Sequence, residues 1–346
     1  MLALLVLFVL VGGCSGQVNR CGKESEVVLL FVHIFKAAGS SVRTLLRRYA
    51  EKCERKWVCL IECSEGGAEK NGVVQCRLRD TVNVGRQALF SRAPGRHSKL
   101  RRNPSAELVG LEAEVIGGHY YYGMHGILAP GRSYAYFTVL REPVATWISG
   151  IRYHDRALRS VESVAAAAAA SLPPTASKQK YANAMSYLVP ADQRRGVSAR
   201  VKLEISRTNL RDFRVVGLVE SWSATVDALA AVLDADLAIP SFWDRHKSLS
   251  RNTASGQFGG RDVVSILRRD ETLWGRVRAF LDVETRLYAD AIARHAHTCR
   301  QVLGDKCPLE RTVFLRSLNA SLLAPDILPS RALADAMRRD ATRRDE

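Results

Sequence analysis

What this chain lacks narrows it first. The apolar run near its start, Leu2 to Val11 (LALLVLFVLV), falls short of the roughly 20 residues that a membrane-spanning helix requires. The 8 cysteines show no paired C-x2-C spacing, which argues against a structural zinc site. The nucleotide-binding pattern G-x4-G-K-S/T is absent, and so are an acidic pair for holding a metal, any internal repeat, and the basic–aromatic modules of nucleic-acid readers. Acidic residues are scarce as well. Asp plus Glu number 35 against 51 Lys plus Arg, a formal charge of +16. Such an excess favours anionic partners, whether acidic polysaccharide, membrane surface, nucleic acid or phosphorylated cofactor, without choosing among them. An arginine-rich soluble surface alone also accounts for it.

What is present reads as an ordinary soluble protein. Hydrophobic residues make up 47% and charged residues 25% of 346 positions, enough for one large domain or two small ones with a buried core. Leu2 to Val11, with Gly12, Gly13 and Ser15 after it, has the form of a signal peptide or short anchor over residues 1–16, although no basic residue precedes it. A buried first strand is the competing reading. Cys53, Cys59, Cys63 and Cys76 crowd one segment, and Cys299 and Cys307 form a second close pair. Disulfides of an oxidising lumen explain this clustering. Asn319-Ala320-Ser321 fits a glycosylation sequon.

Val27 to His33 predicts a buried strand, and Ser40 to Lys52 a helix with an arginine-rich outer face. Residues 53–80 read as a cysteine-rich insertion with short strands, and Ser91 to Pro104 as a basic loop. Val115 to His119, Tyr134 to Leu140 and Arg214 to Val219 are further strands. Pro143 suits the first turn of a helix, where its missing N–H costs nothing. Helices are expected through Ala165 to Ala170, from Ser221 to Leu233 and from Thr272 to Arg300. Residues 326–346 are a polar tail. Strands separated by helices predict an α/β fold with a mostly parallel sheet, whose ligands sit beyond the carboxyl ends of the strands.

The stretch FVHIFKAAGSS, Phe31 to Ser41, carries the first chemical signal. A helix amino terminus presents unpaired N–H groups, and a turn of small residues lets an anion reach them. Ala37, Ala38 and Gly39 permit close approach, Ser40 and Ser41 add hydroxyls, and Lys36 adds a mobile positive charge. This makes a phosphate cradle in which the lysine precedes the glycine. A second signal is Arg141, at the end of the strand in YAYFTVLREPVATWISGIRYH, with Ser149 eight residues later.

These two stretches resemble the signatures of the Golgi carbohydrate sulfotransferases, and of their heparan sulfate 2-O-sulfotransferase-like branch in particular. The first is similar to the 5′-phosphosulfate loop, H-I-P-K followed by small and hydroxylated residues; the second is similar to the segment that holds the 3′-phosphate. FRVVGLVESWSATVDAL, Phe213 to Leu229, resembles a third landmark, a strand and an acidic residue opening a helix. The order of the three covers roughly residues 27–300. Phe35 stands where the family usually has proline, Ala37 to Ser40 where it has Thr-Gly-Gly-Thr, and Glu142 where it has aspartate.

The resemblance implies a P-loop-like three-layer sulfotransferase domain over 27–310 and the donor 3′-phosphoadenosine 5′-phosphosulfate, with no metal. Lys36 would neutralise the bridging oxygen. Ala37, Ala38, Gly39, Ser40 and Ser41 would line the 5′-phosphate, Arg141 and Ser149 the 3′-phosphate, and Arg251, in the loop His246 to Gly256, is a further anion ligand. In IGGHYYYGMH, His119 matches the Gly-His whose histidine is the branch's proposed base, and an ordinary pKa near 6.5 suits that work. His125 is the other histidine there. Tyr120 to Tyr122 would stack on a sugar or pack inside, while His33 shapes the loop and Glu220 caps a helix or orients a basic neighbour. The expected partner is an acidic glycan in the Golgi lumen or at its membrane, with membrane association through the amino-terminal segment, and not nucleic acid. The alternatives are an inactive binder of acidic glycans and a nucleotide-dependent kinase.

Overall fold

In a computed structural model, the described residues are 27–53, 55, 57–60, 74–75, 114–127, 131–155, 157–172, 184–190, 193–194, 196–233, 260–304 and 307. Strands β1 (Val28–Val32), β2 (Trp57–Leu60), β3 (Val74–Gln75), β4 (Val115–Gly118), β5 (Tyr134–Leu140) and β6 (Phe213–Leu218) form one sheet in the order β3-β2-β4-β1-β5-β6. Every neighbouring pair is parallel. The short strands expected within 53–80 are β2 and β3, and they extend this sheet beyond β4.

All five residues of β1 are buried, as a central parallel strand covered on both faces requires. Alternation sends Val28, Leu30 and Val32 to one face and Leu29 and Phe31 to the other. The second face is covered by α1 (Gly39–Lys52), which presents Val42, Leu45, Leu46, Tyr49 and Ala50 at helical spacing. Helix α2 is Pro143–His154, α3 is Val161–Ala170, α4 is Ala184–Leu188 and α5 is Ala199–Leu210. Next come α6 (Trp222–Val232), which joins α1, α7 (Gly260–Arg268) and the long α8 (Glu271–Leu303). Helices α5 and α8 cover the first face through Leu203, Leu210, Leu287, Ala291 and Ile292. A third cluster packs α2, α3 and α7 against the first half of α8, around Trp147 and Trp274. The result is an α/β fold with a parallel central sheet and flanking helices.

A bulge interrupts β6. Tyr136 pairs with Phe213 but Phe137 pairs with Val215, so Arg214 is left exposed as the extra residue. Phe213 and Val216, three apart, therefore share one face. Cys299 and Cys307 form a disulfide at the end of α8, and Cys53 is disulfide-bonded as well. No helix among the described residues is long and apolar enough to cross a membrane. The segment 1–16, the loop from Ser91 to Pro104, Arg251 and the tail 326–346 lie outside the described residues.

Candidate anion site at the carboxyl edge of the sheet

The strand order creates the site. From β1 the chain passes through α1 to β2 on one side; from β5 it passes through α2 to α5 and reaches β6 on the other. Adjacent parallel strands whose connections leave in opposite directions open a ligand position beyond their carboxyl ends. The loop 33–38 follows β1, Arg141 follows β5, His119 follows β4 and Glu220 lies two residues past β6. Segments far apart in sequence therefore meet on one edge.

The loop itself is strained. Lys36 has φ 61° and Ala38 φ 54°, the only non-glycine residues with positive φ among the described residues. Each left-handed residue costs about 1–2 kcal/mol, and such outliers concentrate at functional turns. Ala38 is the N-cap of α1 and supplies no side-chain cap, and the first turn carries no acidic residue. The Ala38 carbonyl takes the N–H groups of Ser41 (2.9 Å) and Val42 (3.2 Å). The amides of Gly39 and Ser40 precede the first intrahelical bonds and donate to no backbone carbonyl among the described residues. Ala37 and Ala38 are buried and offer only backbone, whereas Ser40 is exposed and its Oγ accepts from Arg43 Nη2 at 3.4 Å.

Gly39 is required by packing. A Cβ there would lie 1.6 Å from the His33 ring. That ring is buried and stacks on His119, with centroids 3.9 Å apart. His33 thus shapes the loop, as its position suggests. His119 Nδ1 lies 2.9 Å from the His33 carbonyl oxygen. A carbonyl only accepts, so Nδ1 carries the proton and the lone pair sits on Nε2. The ordinary pKa expected of His119 is corrected: burial pushes it down to about 4, the bond to His33 offsets part of this, and the Arg43 charge adds to the fall.

Arg141 Nη1 donates to the Lys36 carbonyl at 3.4 Å, which joins the two signatures physically. Burial, then the charges of Arg141 and Arg152, hold the Lys36 amine below its usual pKa. Lys36 Nζ rests 4.3 Å above the centre of the Tyr153 ring. Ser149 lies half-buried in α2 and makes no hydrogen bond to Lys36 or Arg141 among the described residues. The start of α2 is set by Glu142, whose carboxylate accepts from the N–H of Val144 (3.1 Å) and Ala145 (2.6 Å). Glu142 is 2% exposed, and burial raises its pKa to about 7.

Three readings change. Glu220 caps no helix among the described residues: its Oε1 accepts the Glu142 N–H at 3.1 Å and its Oε2 the Tyr288 hydroxyl at 2.7 Å, tying the end of β6 to the start of α2. Tyr120, Tyr121 and Tyr122 are all buried, which favours packing inside over stacking on a sugar. His125 belongs elsewhere, stacked at 4.5 Å on Tyr134 at the amino end of β5. Sequence reasoning missed Arg43, placed on an outer face but near enough to add to the fall that burial causes in both His33 and His119. It also missed the aromatic group around Tyr153.

The charges that depress Lys36 are positive, and an incoming anion would relieve their repulsion. Backbone amides of α1, a lysine and an arginine form a donor set matched to phosphate or sulfate. Among the described residues no group of three or more His, Cys, Asp or Glu stands ready to hold a metal ion. No protein-family model matches the chain, and no curated protein matches it.

Proposed function

We propose that this protein is a carbohydrate O-sulfotransferase that uses 3′-phosphoadenosine 5′-phosphosulfate, with the sulfotransferase-type fold as part of the reading. The observation that carries it is the bond from Arg141 to the Lys36 carbonyl, which brings the segments that carry the two motifs to one edge. The donor supplies a sulfuryl group on a good leaving phosphate. In the transfer, a bond forms between the acceptor oxygen and sulfur, the bond from sulfur to the phosphate oxygen breaks, and the hydroxyl proton leaves. Positioning and electrostatics supply most of the catalysis in such displacements, as in phosphoryl transfer.

Each residue then has a task. The amides of Gly39 and Ser40, with the hydroxyls of Ser40 and Ser41, hold the 5′-phosphate, backed by the buried Ala37 and Ala38. Lys36 places positive charge at the leaving oxygen. Arg141 holds the 3′-phosphate by paired hydrogen bonds, with Ser149 beside it and Arg251 as a further ligand. His119 Nε2 takes the hydroxyl proton. Its low intrinsic basicity rises as negative charge enters the site. An acidic glycan as acceptor accounts for the net charge of +16. Placement in the secretory pathway belongs to the same proposal and rests on the apolar start and the cysteine clusters.

The test is incubation of the full chain with sulfur-labelled donor and a panel of uronate-bearing and neutral glycans, without added metal. Label should pass to a glycan hydroxyl as adenosine 3′,5′-bisphosphate is released. Glycan binding without that release identifies an inactive binder instead.

A further inference from the structure

Beside Lys36 lies an aromatic group that the donor reading leaves unused. Tyr153, in the last turn of α2, is 50% exposed, although an aromatic ring gains most from burial. The Phe35 ring meets it edge-on at 5.6 Å and 79°, lies 5.6 Å from the His154 ring, and approaches His119 at 6.5 Å. Phe35 therefore links the proposed base to an exposed aromatic surface. Lys36 Nζ sits over the Tyr153 ring, and the Arg152 charge reaches Lys36 from the same turn of α2. The buried Tyr120, Tyr121 and Tyr122 offer no competing surface.

An exposed aromatic corner, with a lysine over one ring and an arginine in the same turn of α2, fits one ligand chemistry. A pyranose has an apolar C–H face that packs on a ring and hydroxyls around its edge, and a uronate adds a carboxylate for arginine. We infer that Phe35 and Tyr153, with Arg152 beside them, receive the acceptor: one sugar of a uronate-bearing glycan packs on the two rings, its carboxylate meets Arg152, and its hydroxyl is turned toward His119. This rests on the sulfotransferase reading, since only that reading asks for an acceptor next to His119. Adenine also stacks on aromatic rings, but it belongs at the far end of the donor, away from the transferred group.

Calorimetry on the full chain separates these possibilities, using three probes: adenosine 3′,5′-bisphosphate, an unsulfated hexasaccharide of alternating glucuronate and N-acetylglucosamine, and neutral maltohexaose. Phe35→Ala and Tyr153→Ala should each weaken the uronate hexasaccharide by about tenfold, a stacking contribution at the upper end for aromatic contacts. Tyr153→Trp should restore binding. Arg152→Gln should erase the preference for the uronate over the neutral sugar. Bisphosphate affinity should stay within about twofold in every variant, and in turnover the loss should fall on acceptor KM more than on kcat. Unchanged hexasaccharide binding in both ring variants overturns the inference, as does weakened bisphosphate binding with glycan binding intact, which makes the rings an adenine platform. If the wild-type chain binds the hexasaccharide through these rings but ignores the bisphosphate, the donor reading fails and the glycan surface stands.

Discussion

The imidazoles of His33 and His119 stack with their centroids 3.9 Å apart and their planes 24° from parallel, while His119 Nδ1 bonds the His33 carbonyl at 2.9 Å. Two strand ends, β1 and β4, are thereby locked together. Gly39, at the start of α1, packs tightly against the His33 ring. The turn of the candidate anion site and the proposed base are one packed unit.

Gly39→Ala should break that unit. Its Cβ would fall 1.6 Å from a ring that is itself held between neighbours, so ring or helix must shift. A destabilisation of about 1–3 kcal/mol is expected in urea unfolding, in the range of overpacked cores. Unchanged stability would show that the loop adapts and that the stack is not rigid.

His119→Gln should leave affinity for adenosine 3′,5′-bisphosphate intact and slow transfer by about 100- to 10,000-fold, the usual worth of a general base. In the wild type, saturating bisphosphate brings negative charge beside an imidazole that titrates at about 4, and so should raise that pKa. An NMR titration of the His119 ring with and without bisphosphate measures the change. A value still near 4 in the complex would remove His119 from the site.

Lys36→Ala should lower kcat by about 100- to 1000-fold, as removal of one charge-stabilising group does. Its melting temperature should stay close to that of the wild type, because the side chain is half-buried at the surface and makes no ion pair among the described residues. Full turnover would exclude Lys36 from the chemistry.

Acid should weaken the fold through His295. This residue is 0% exposed, its Nδ1 lies 2.9 Å from the Val216 carbonyl oxygen, and its Nε2 has no hydrogen-bond partner among the described residues. Burial holds its pKa at about 4, below the ordinary 6.5. The folded state thus binds the proton less tightly than the unfolded chain. Its contribution is complete above about pH 6.5, declines as pH falls toward 4, and is lost below, a difference of about 3 kcal/mol. Urea midpoints at pH 7 and pH 4.5 measure it, and His295→Asn should flatten the dependence. An equal slope in that variant would assign the acid sensitivity to other groups.

Much of the architecture is legible in local patterns. The apolar run from Val27, the alternating YAYFTVL and the Arg-Glu-Pro that ends it place β1, β5 and the start of α2 within a residue or two of where they lie. Strand and helix follow from side-chain period and from the backbone limits of proline, which neighbours in sequence dictate. The bulge at Arg214 left no such mark, because it is a property of pairing between β5 and β6.

The sequence by itself determined which chemical groups the carboxyl edge carries: a lysine before small residues and serines, a histidine after two glycines, an arginine at a strand end. Only the tertiary structure decided what those groups experience. His119 loses its ordinary basicity because it is buried against His33, 86 residues away in sequence. Three consecutive tyrosines turn inward, while Phe35 and Tyr153 meet on the outside. Burial, electrostatic neighbours and ring contacts are set by segments that come together only when the sheet forms, and no local pattern records them.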